Sequence, residues 1–550
     1  MAPRSPARRL APALLCCLTL AAVPATASAA DGRPTGRLLV TVTADAATSP
    51  SDRVAAALRD GGVDARPTEA LGATVAVPVR GADDRARVAA RLAGAPGVVQ
   101  VVDEQRAVPR SLPSDPVLRD QDALAPPGTP LAWWAIRMRL PQAWDVANGR
   151  GTRIAVIDSG FDLTHPQLEP VVEESLVSQV AGVPGTSRTD EYGHGTHVAS
   201  LACSAFNDGA GTVGAGGRCR LITIKSDLYD LSVARAVRRA TKLGVDAIVM
   251  SFGTDGSRPA SRALREALTD AAAEGVVLVA AAADTPTSEQ GWPANVLQPT
   301  GTGSNAEKGL GLTVTAATAA GARARFAGSG SQISLAAYGA YADDGGPPGI
   351  VGAFPTGTVA NEQAAAGDQA PATRVAVRGD TRYAYQAGTS MATPMVAGVA
   401  ALLRGANPDL PATRIARLLK ETASRGGGWT AQLGWGIVDA QKAVDAARRI
   451  DLRAPTATFS TTAQTVTGPT IDLAWSGTDR SPAPLVPSGL RTVELWRSLD
   501  GGRYSRVGTA RRGLVAEVPR GTVRFVLRAV DKAGNRAKLR TKSALVITRR

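Results

Sequence analysis

Arg153-Ile154-Ala155-Val156-Ile157-Asp158-Ser159-Gly160 is an unbroken run of mostly branched apolar residues closed by an acid and a turn. A strand covered on one face alternates apolar and polar residues, whereas a parallel strand covered on both is apolar throughout. The stretch therefore predicts a buried parallel strand, with Asp158 at its carboxyl end, where sheets of this kind place their active-site groups. An Asp that merely caps the following turn is the competing reading. Downstream, residues 219–225, 247–251 and 276–282 read as further buried strands, with helices over 232–243 and 260–274. Val233, Ala236, Val237, Ala240 and Leu243 fall on one face of the first helix. Strands alternating with helices of this length imply a parallel sheet covered on both sides, a doubly wound α/β domain over residues 133–448.

Upstream, Arg4, Arg8 and Arg9, an apolar run from Leu10 to Val23 and the small residues Ala27-Ser28-Ala29 form the pattern of a secretory signal peptide over residues 1–29. The run is short for a membrane span, and no later stretch suits one better, so a soluble, exported monomer is expected. Residues 30–108 read as a small α+β module: strands 37–42, 73–79 and 97–102 with helices 51–60 and 83–92 between them. A linker rich in Pro, Asp and Ser covers 106–130, so that 109–132 connects the module to the α/β domain. Of four cysteines, Cys16 and Cys17 leave with the signal peptide. In an oxidising compartment the remaining Cys203 and Cys219 invite a disulfide, two buried free thiols being the alternative.

The net charge of +14 over 550 residues suggests a nucleic-acid binder until it is located. Residues 451–550 carry 18 basic and 7 acidic side chains, the signal peptide holds three Arg, and the rest balances. No nucleic-acid partner is expected; attraction to anionic surfaces belongs to the C-terminal segment. There, short alternating runs at 465–475, 490–497, 504–507, 514–518, 522–530 and 544–548, separated by turns such as Asp500-Gly501-Gly502, predict an all-β sandwich of immunoglobulin-like type over 455–550.

Gly388-Thr389-Ser390-Met391-Ala392-Thr393-Pro394 opens an apolar helix, placing the Ser390 hydroxyl beside unpaired backbone N–H groups and the positive end of the helix dipole. Such a position suits a nucleophile that generates an oxyanion, though a capped core helix has the same pattern. The chain has three histidines, His165, His194 and His197. His194 and His197, three residues apart, are candidates for a general base or for two metal ligands on one helical turn; the second reading lacks an intervening Glu and leaves one further imidazole.

Asp158 in Val-Ile-Asp-Ser-Gly, His194 in Gly-His-Gly-Thr-His-Val-Ala and Ser390 in Gly-Thr-Ser-Met-Ala-Thr-Pro resemble the three signature blocks of the subtilisin-like serine proteases, in the order known for that family. The resemblance covers about residues 133–447. It implies Ser390 as nucleophile, His194 as its general base, Asp158 as the group orienting the imidazole, and a structural His197. It also implies that Ser251-Phe252-Gly253 and Ala280-Ala281-Ala282 wall the pocket for the substrate residue preceding the scissile bond. The module at 30–108 resembles the family's propeptides, its alternative being a small module with a binding role of its own.

Two positions depart from the family pattern. Where an Asn usually donates to the oxyanion, this chain has Asp284 after Ala281-Ala282-Ala283, and an ionised carboxylate cannot donate. A protonated Asp284 with activity favoured at acidic pH, a slow or selective protease relying on the Ser390 backbone N–H, and a local register shift are the three readings. After Lys225, the run Ser226 to Leu231 lacks the Gly-Ser-Gly strand that pairs with substrate in relatives. The loop from Asp343 to Gly349 is read as a flexible insertion, with a weak calcium site as the alternative; no other cofactor is expected. The combined expectation is a secreted serine endopeptidase made as a zymogen, acting on protein or peptide substrates, inhibited by its own propeptide and held on an anionic wall polymer or polysaccharide by its tail. A catalytically silent scaffold used for binding is the alternative, and a metal-dependent hydrolase is the third class.

Overall fold

The computed structural model describes residues 36–43, 48–60, 63, 66–79, 81–103, 112–179, 189–343, 345–363, 372–426, 428–462 and 464–550. The expected signal peptide and residues 106–111 of the expected linker lie outside them. The chain divides between Arg110 and Ser111 into two compact units.

In the first unit, four antiparallel strands lie in the order Glu69–Leu71, Thr74–Val79, Gly36–Val42 and Val98–Asp103. Helices Pro50–Arg59 and Gly81–Ala93 contribute Val54, Leu58, Val88 and Leu92 to one apolar core with Leu38, Val40, Val75 and Val77 of the sheet. The first helix starts sharply because Ser49 accepts the Asp52 N–H and Pro50 fixes the first turn. The strand Glu69–Leu71 was not expected: three residues are too few to show a period.

The second unit is built on seven parallel strands in the order Leu335–Tyr338, Leu312–Ala317, Val277–Ala281, Ala247–Met250, Arg153–Asp158, Arg220–Ser226 and Val172–Ser178. Alternate residues of the Arg153 strand serve two cores. Ile154 and Val156 pack with helices His194–Ala202 and Thr389–Ala406, while Ala155 and Ile157 pack with helices Asp230–Lys242 and Arg262–Ala273. The strand is apolar throughout because both its faces are covered, as its composition predicts. After this strand the chain leads to one edge of the sheet, and after Ala247–Met250 to the other. Asp158 and Ser251 therefore stand at a topological switch point, the crevice where sheets of this kind bind ligands.

Residues 112–132, read as part of a linker, belong to this unit. Pro116–Leu118 forms a buried turn, Asp115 accepts the Asn207 N–H, and Tyr385 donates to Asp122 at 2.7 Å. Their contacts are long-range, so no local period announced them. A three-stranded sheet of Ile350–Ala353, Asp380–Gln386 and Thr373–Val377 was also unexpected. Cys203 and Cys219 form a disulfide with Cα atoms 5.9 Å apart, tying the end of the His194 helix to the strand that follows. No helix among the described residues is long and apolar enough to cross a membrane.

The C-terminal residues form two sheets around one core. One has the order Thr456–Phe459, Thr470–Thr478, Gly513–Glu517; the other has Thr465–Val466, Leu545–Arg549, Gly521–Asp531, Leu490–Leu499, Ser505–Ala510. The run 465–475, expected as one strand, splits between the two sheets at Thr467-Gly468-Pro469. Arg453 pairs with Asp409, and Val486 N–H donates to Arg448 O, joining these sheets to the α/β domain.

Candidate active site

His194 is the first residue of its helix, and two glycines set it there. Gly193 precedes it at φ +88°, where a Cβ would lie 2.6 Å from the Phe354 ring. A Cβ on Gly195 would lie 2.0 Å from Gly160 O and 3.0 Å from Asp158 Cβ, so only glycine lets this turn reach the Asp158 loop. His194 Nδ1 and Asp158 Oδ1 come within 2.8 Å; Asp158 Oδ1 also accepts the Ser159 N–H at 2.7 Å. The Asp158 side chain is buried and that of His194 is 19% exposed.

Beneath His194, Asp190 is buried and engaged on both oxygens. Oδ1 accepts the Gly193 N–H at 2.8 Å, and Oδ2 accepts the Thr196 N–H at 2.9 Å and the Thr196 hydroxyl at 2.6 Å. Burial pushes the Asp190 carboxyl up against the pull of these bonds. For His194, burial acts downward, yet the charge and hydrogen bond of Asp158, with the charges of Asp190 and Asp284, carry the imidazole above its ordinary value. Asp190 stands three residues before the His194 block, and its residue type was the available signal; its role was not read from the sequence.

Ser390 stands in the first turn of the helix Thr389–Ala406 and lines a small recess with His194, Tyr192, Asn361, Gln386, Ala387 and Met391. Its hydroxyl donates to Ser251 O at 2.9 Å, and the Ser251 hydroxyl donates to Ser390 O at 3.0 Å. The second bond has a local cause. Pro394 has no N–H to give to the carbonyl four residues earlier, which is that of Ser390, and the Ser251 hydroxyl takes the vacant place. The Pro of the Gly-Thr-Ser motif thereby couples the Ser390 helix to the switch-point strand.

Asp284 reaches the same helix. Its Oδ1 accepts the Thr389 N–H at 2.7 Å, while the Thr389 hydroxyl donates to Ala282 O at 2.7 Å. Ser251, Ala281 and Ala282 are buried at the strand ends, Phe252 is half-buried and Gly253 exposed. Ala280 is packed into the core beneath, with Met250 and Leu278. No strand is formed by Asp227 to Tyr229, in line with the missing Gly-Ser-Gly run.

His197 is a structural residue. Its Nε2 lies 3.0 Å from Ile350 O and 3.1 Å from Ala384 O, so this nitrogen carries the proton and donates to both, and burial depresses its pKa to about 3. A Cβ on Gly352 would sit 2.8 Å from the ring. His165 Nε2 similarly meets Arg382 O at 2.8 Å. The three histidines therefore do not converge. Among the described residues, the one group of carboxylates close enough to share a cation is Asp451, Asp479 and Asp531, away from the loop at 343–349. A larger cavity, about 280 Å³, lies around Lys420 and the start of strand Val277–Ala281, at the opposite end of the sheet from Asp158 and Ser251.

Residues 149–436 match the Subtilase family of S8 peptidases, just over half of the chain. Thermitase of Thermoactinomyces vulgaris is 29% identical over 323 residues, covering 56% of this chain and 94% of that one. Subtilisin BL of Lederbergia lenta is also 29% identical, over 56% and 97% of the two chains. A solved protease structure from Pseudoalteromonas arctica is 27% identical over 56% and 94%, with a TM-score of 0.46. The chain belongs to the subtilase family and is a subtilisin-like serine-type endopeptidase.

Proposed function

We propose that Asp158, His194 and Ser390 form the catalytic triad of an exported endopeptidase made as a zymogen. The observation that carries this is the 2.8 Å contact between His194 Nδ1 and Asp158 Oδ1, with Ser390 lining the same recess at a helix N-terminus. Asp158 holds Nδ1 protonated and turns Nε2 toward the nucleophile. Rotation about the Ser390 Cα–Cβ bond takes the hydroxyl from Ser251 O to Nε2. The imidazole then accepts the proton as Oγ attacks the scissile carbonyl. It returns that proton to the leaving amine, leaving an acyl-enzyme that water hydrolyses through the same base. Ser251 to Gly253 and Ala281-Ala282 wall the site for the residue before the cleaved bond.

Asp284, at the position of the usual oxyanion donor, acts as an ionised helix cap. The Thr389 N–H it accepts and the positive end of the helix both favour the carboxylate. This reading replaces the protonated donor with a slower, more selective enzyme. The unit before Arg110 serves as the propeptide and intramolecular inhibitor. The C-terminal sheets form an immunoglobulin-like domain that holds the enzyme on an anionic polymer outside the cell.

Treatment with a fluorophosphonate after propeptide removal tests the assignment. Covalent labelling is expected, abolished in Ser390→Ala. Processed, folded protein that resists the reagent would favour a catalytically silent scaffold.

A further inference from the structure

Among the described residues, the outer face of the C-terminal five-stranded sheet carries a concentrated positive charge with an unusual centre. Glu494 on the strand Leu490–Leu499 has a side chain only 4% exposed. Its Oε2 accepts from Arg528 Nε at 2.9 Å and from Trp496 Nε1 at 3.0 Å. Its Oε1 lies 3.8 Å from Arg536 and 4.0 Å from Arg506, both more than half exposed. The Arg528 guanidinium stacks over the Trp496 ring at 4.4 Å. Strand alternation places exposed Arg524 on the same face as Arg528. One buried carboxylate thus faces three guanidinium groups, with Arg524 on the same side of the sheet.

The other acids of the region lie elsewhere. Asp472 and Glu517 are on the three-stranded sheet, Asp500 is in a hairpin turn, and Asp451, Asp479 and Asp531 form their own group. We propose that the face formed by Arg506, Arg524, Arg528 and Arg536 around Trp496 is a binding surface for a polysaccharide bearing carboxylate groups. This rests on the adhesive reading of the C-terminal domain and assigns it a face and a partner.

Glu494 already shows that this arginine spacing converges on a carboxylate. Arg506 and Arg536 approach it only loosely, and such exposed pairs hold weakly, so their planar donor forks can engage external carboxylates in bidentate fashion. Arg528 already lies over the Trp496 ring and the ring N–H is engaged, so that face of the indole is closed to a base of the kind single-stranded nucleic-acid binders stack. Arg528 is held between Glu494 and the ring and serves as the rigid centre of the face.

The test uses full-length protein carrying Ser390→Ala, to prevent self-digestion, on immobilised polygalacturonate, uncharged dextran and duplex DNA at several salt concentrations. Retention on polygalacturonate alone is expected, falling with added salt. Binding should weaken by about tenfold or more in Arg506→Gln/Arg524→Gln/Arg536→Gln, since three exposed ionic contacts are lost together. The same triple change in an enzyme with Ser390 intact should leave hydrolysis of a short peptide unaltered, which checks folding. Equal retention of the triple variant overturns the assignment of the face while leaving adhesion standing. No retention of the parent on polygalacturonate overturns the adhesive reading itself. Retention on DNA as strong as on polygalacturonate overturns the polysaccharide as partner.

Discussion

Replacing Asp284 by Asn separates the cap from the charge. An Asn carbonyl oxygen can still accept the Thr389 N–H now held at 2.7 Å, so the start of the Ser390 helix should survive. Two things change. The amide NH2 supplies a donor at the position where the family stabilises the oxyanion, a contribution worth about a hundred- to a thousandfold, or 2.7–4 kcal/mol, when geometry is ideal. Here the amide is oriented by Thr389 rather than by a transition state, so a rise in kcat of about tenfold to a hundredfold is the expected part of that range. The second change is electrostatic. Asp284 is one of three carboxylates that raise the His194 pKa, so its neutralisation lowers that pKa. The base must be deprotonated to act, so the acid limb of kcat/KM should move to lower pH. Stopped or continuous hydrolysis of a chromogenic peptide between about pH 5 and 10 reads both, with Asp284→Ala as the control that removes the charge without adding a donor. An unchanged or reduced kcat in folded Asp284→Asn, with an acid limb that stays in place, would refute the reasoning. A large loss on neutralising Asp284, with wild-type activity greatest at acidic pH, would restore the protonated donor.

Lys420 is buried and its pKa is lowered to about 8 by desolvation, while Nζ donates to Lys308 O at 2.9 Å. Its unfolded value is near 10.4, so the penalty is present below about pH 8 and is relieved as pH rises toward 10.5; Lys420→Met should remove this rise, amounting to about 3 kcal/mol, and parallel urea-denaturation profiles for the two proteins across that window would contradict it. Cys203→Ala/Cys219→Ala opens a disulfide spanning 16 residues and should lower unfolding stability by about 3 kcal/mol, whereas an unchanged denaturation midpoint would show that packing alone holds the loop.

The parts of this molecule legible in its sequence share one property: the cause lies within a few residues of the effect. The Arg153–Asp158 strand is apolar because both faces are covered, and the glycines beside His194 mark a close approach that no Cβ permits. The strands Ile350–Ala353 and Asp380–Gln386 were missed although they carry Gln386 to the recess and present the carbonyls that hold His197. Their short runs sit among Gly, Pro and polar residues, and their pairing is with each other across about thirty positions, so neither a strict period nor a local turn marked them. Asn361 gave no signal at all, since only the folded chain brings it to the recess.

The Pro394 effect shows how a local rule acquires a distant consequence. A proline in the second turn of a helix withholds one N–H, a fact readable from the motif alone, and it leaves the Ser390 carbonyl needing a donor. Only a parallel strand ending at the switch point brings the Ser251 hydroxyl there, 139 residues away in sequence. The same strand end offers Ser251 O to the Ser390 hydroxyl, so one residue anchors the Ser390 backbone and receives its side chain. The anchor bond is independent of the Ser390 rotamer, because the Ser390 carbonyl stays fixed while its hydroxyl turns. In the proposed triad, that separation would let the hydroxyl exchange Ser251 O for the His194 imidazole without moving the helix, the condition a preorganised nucleophile must meet.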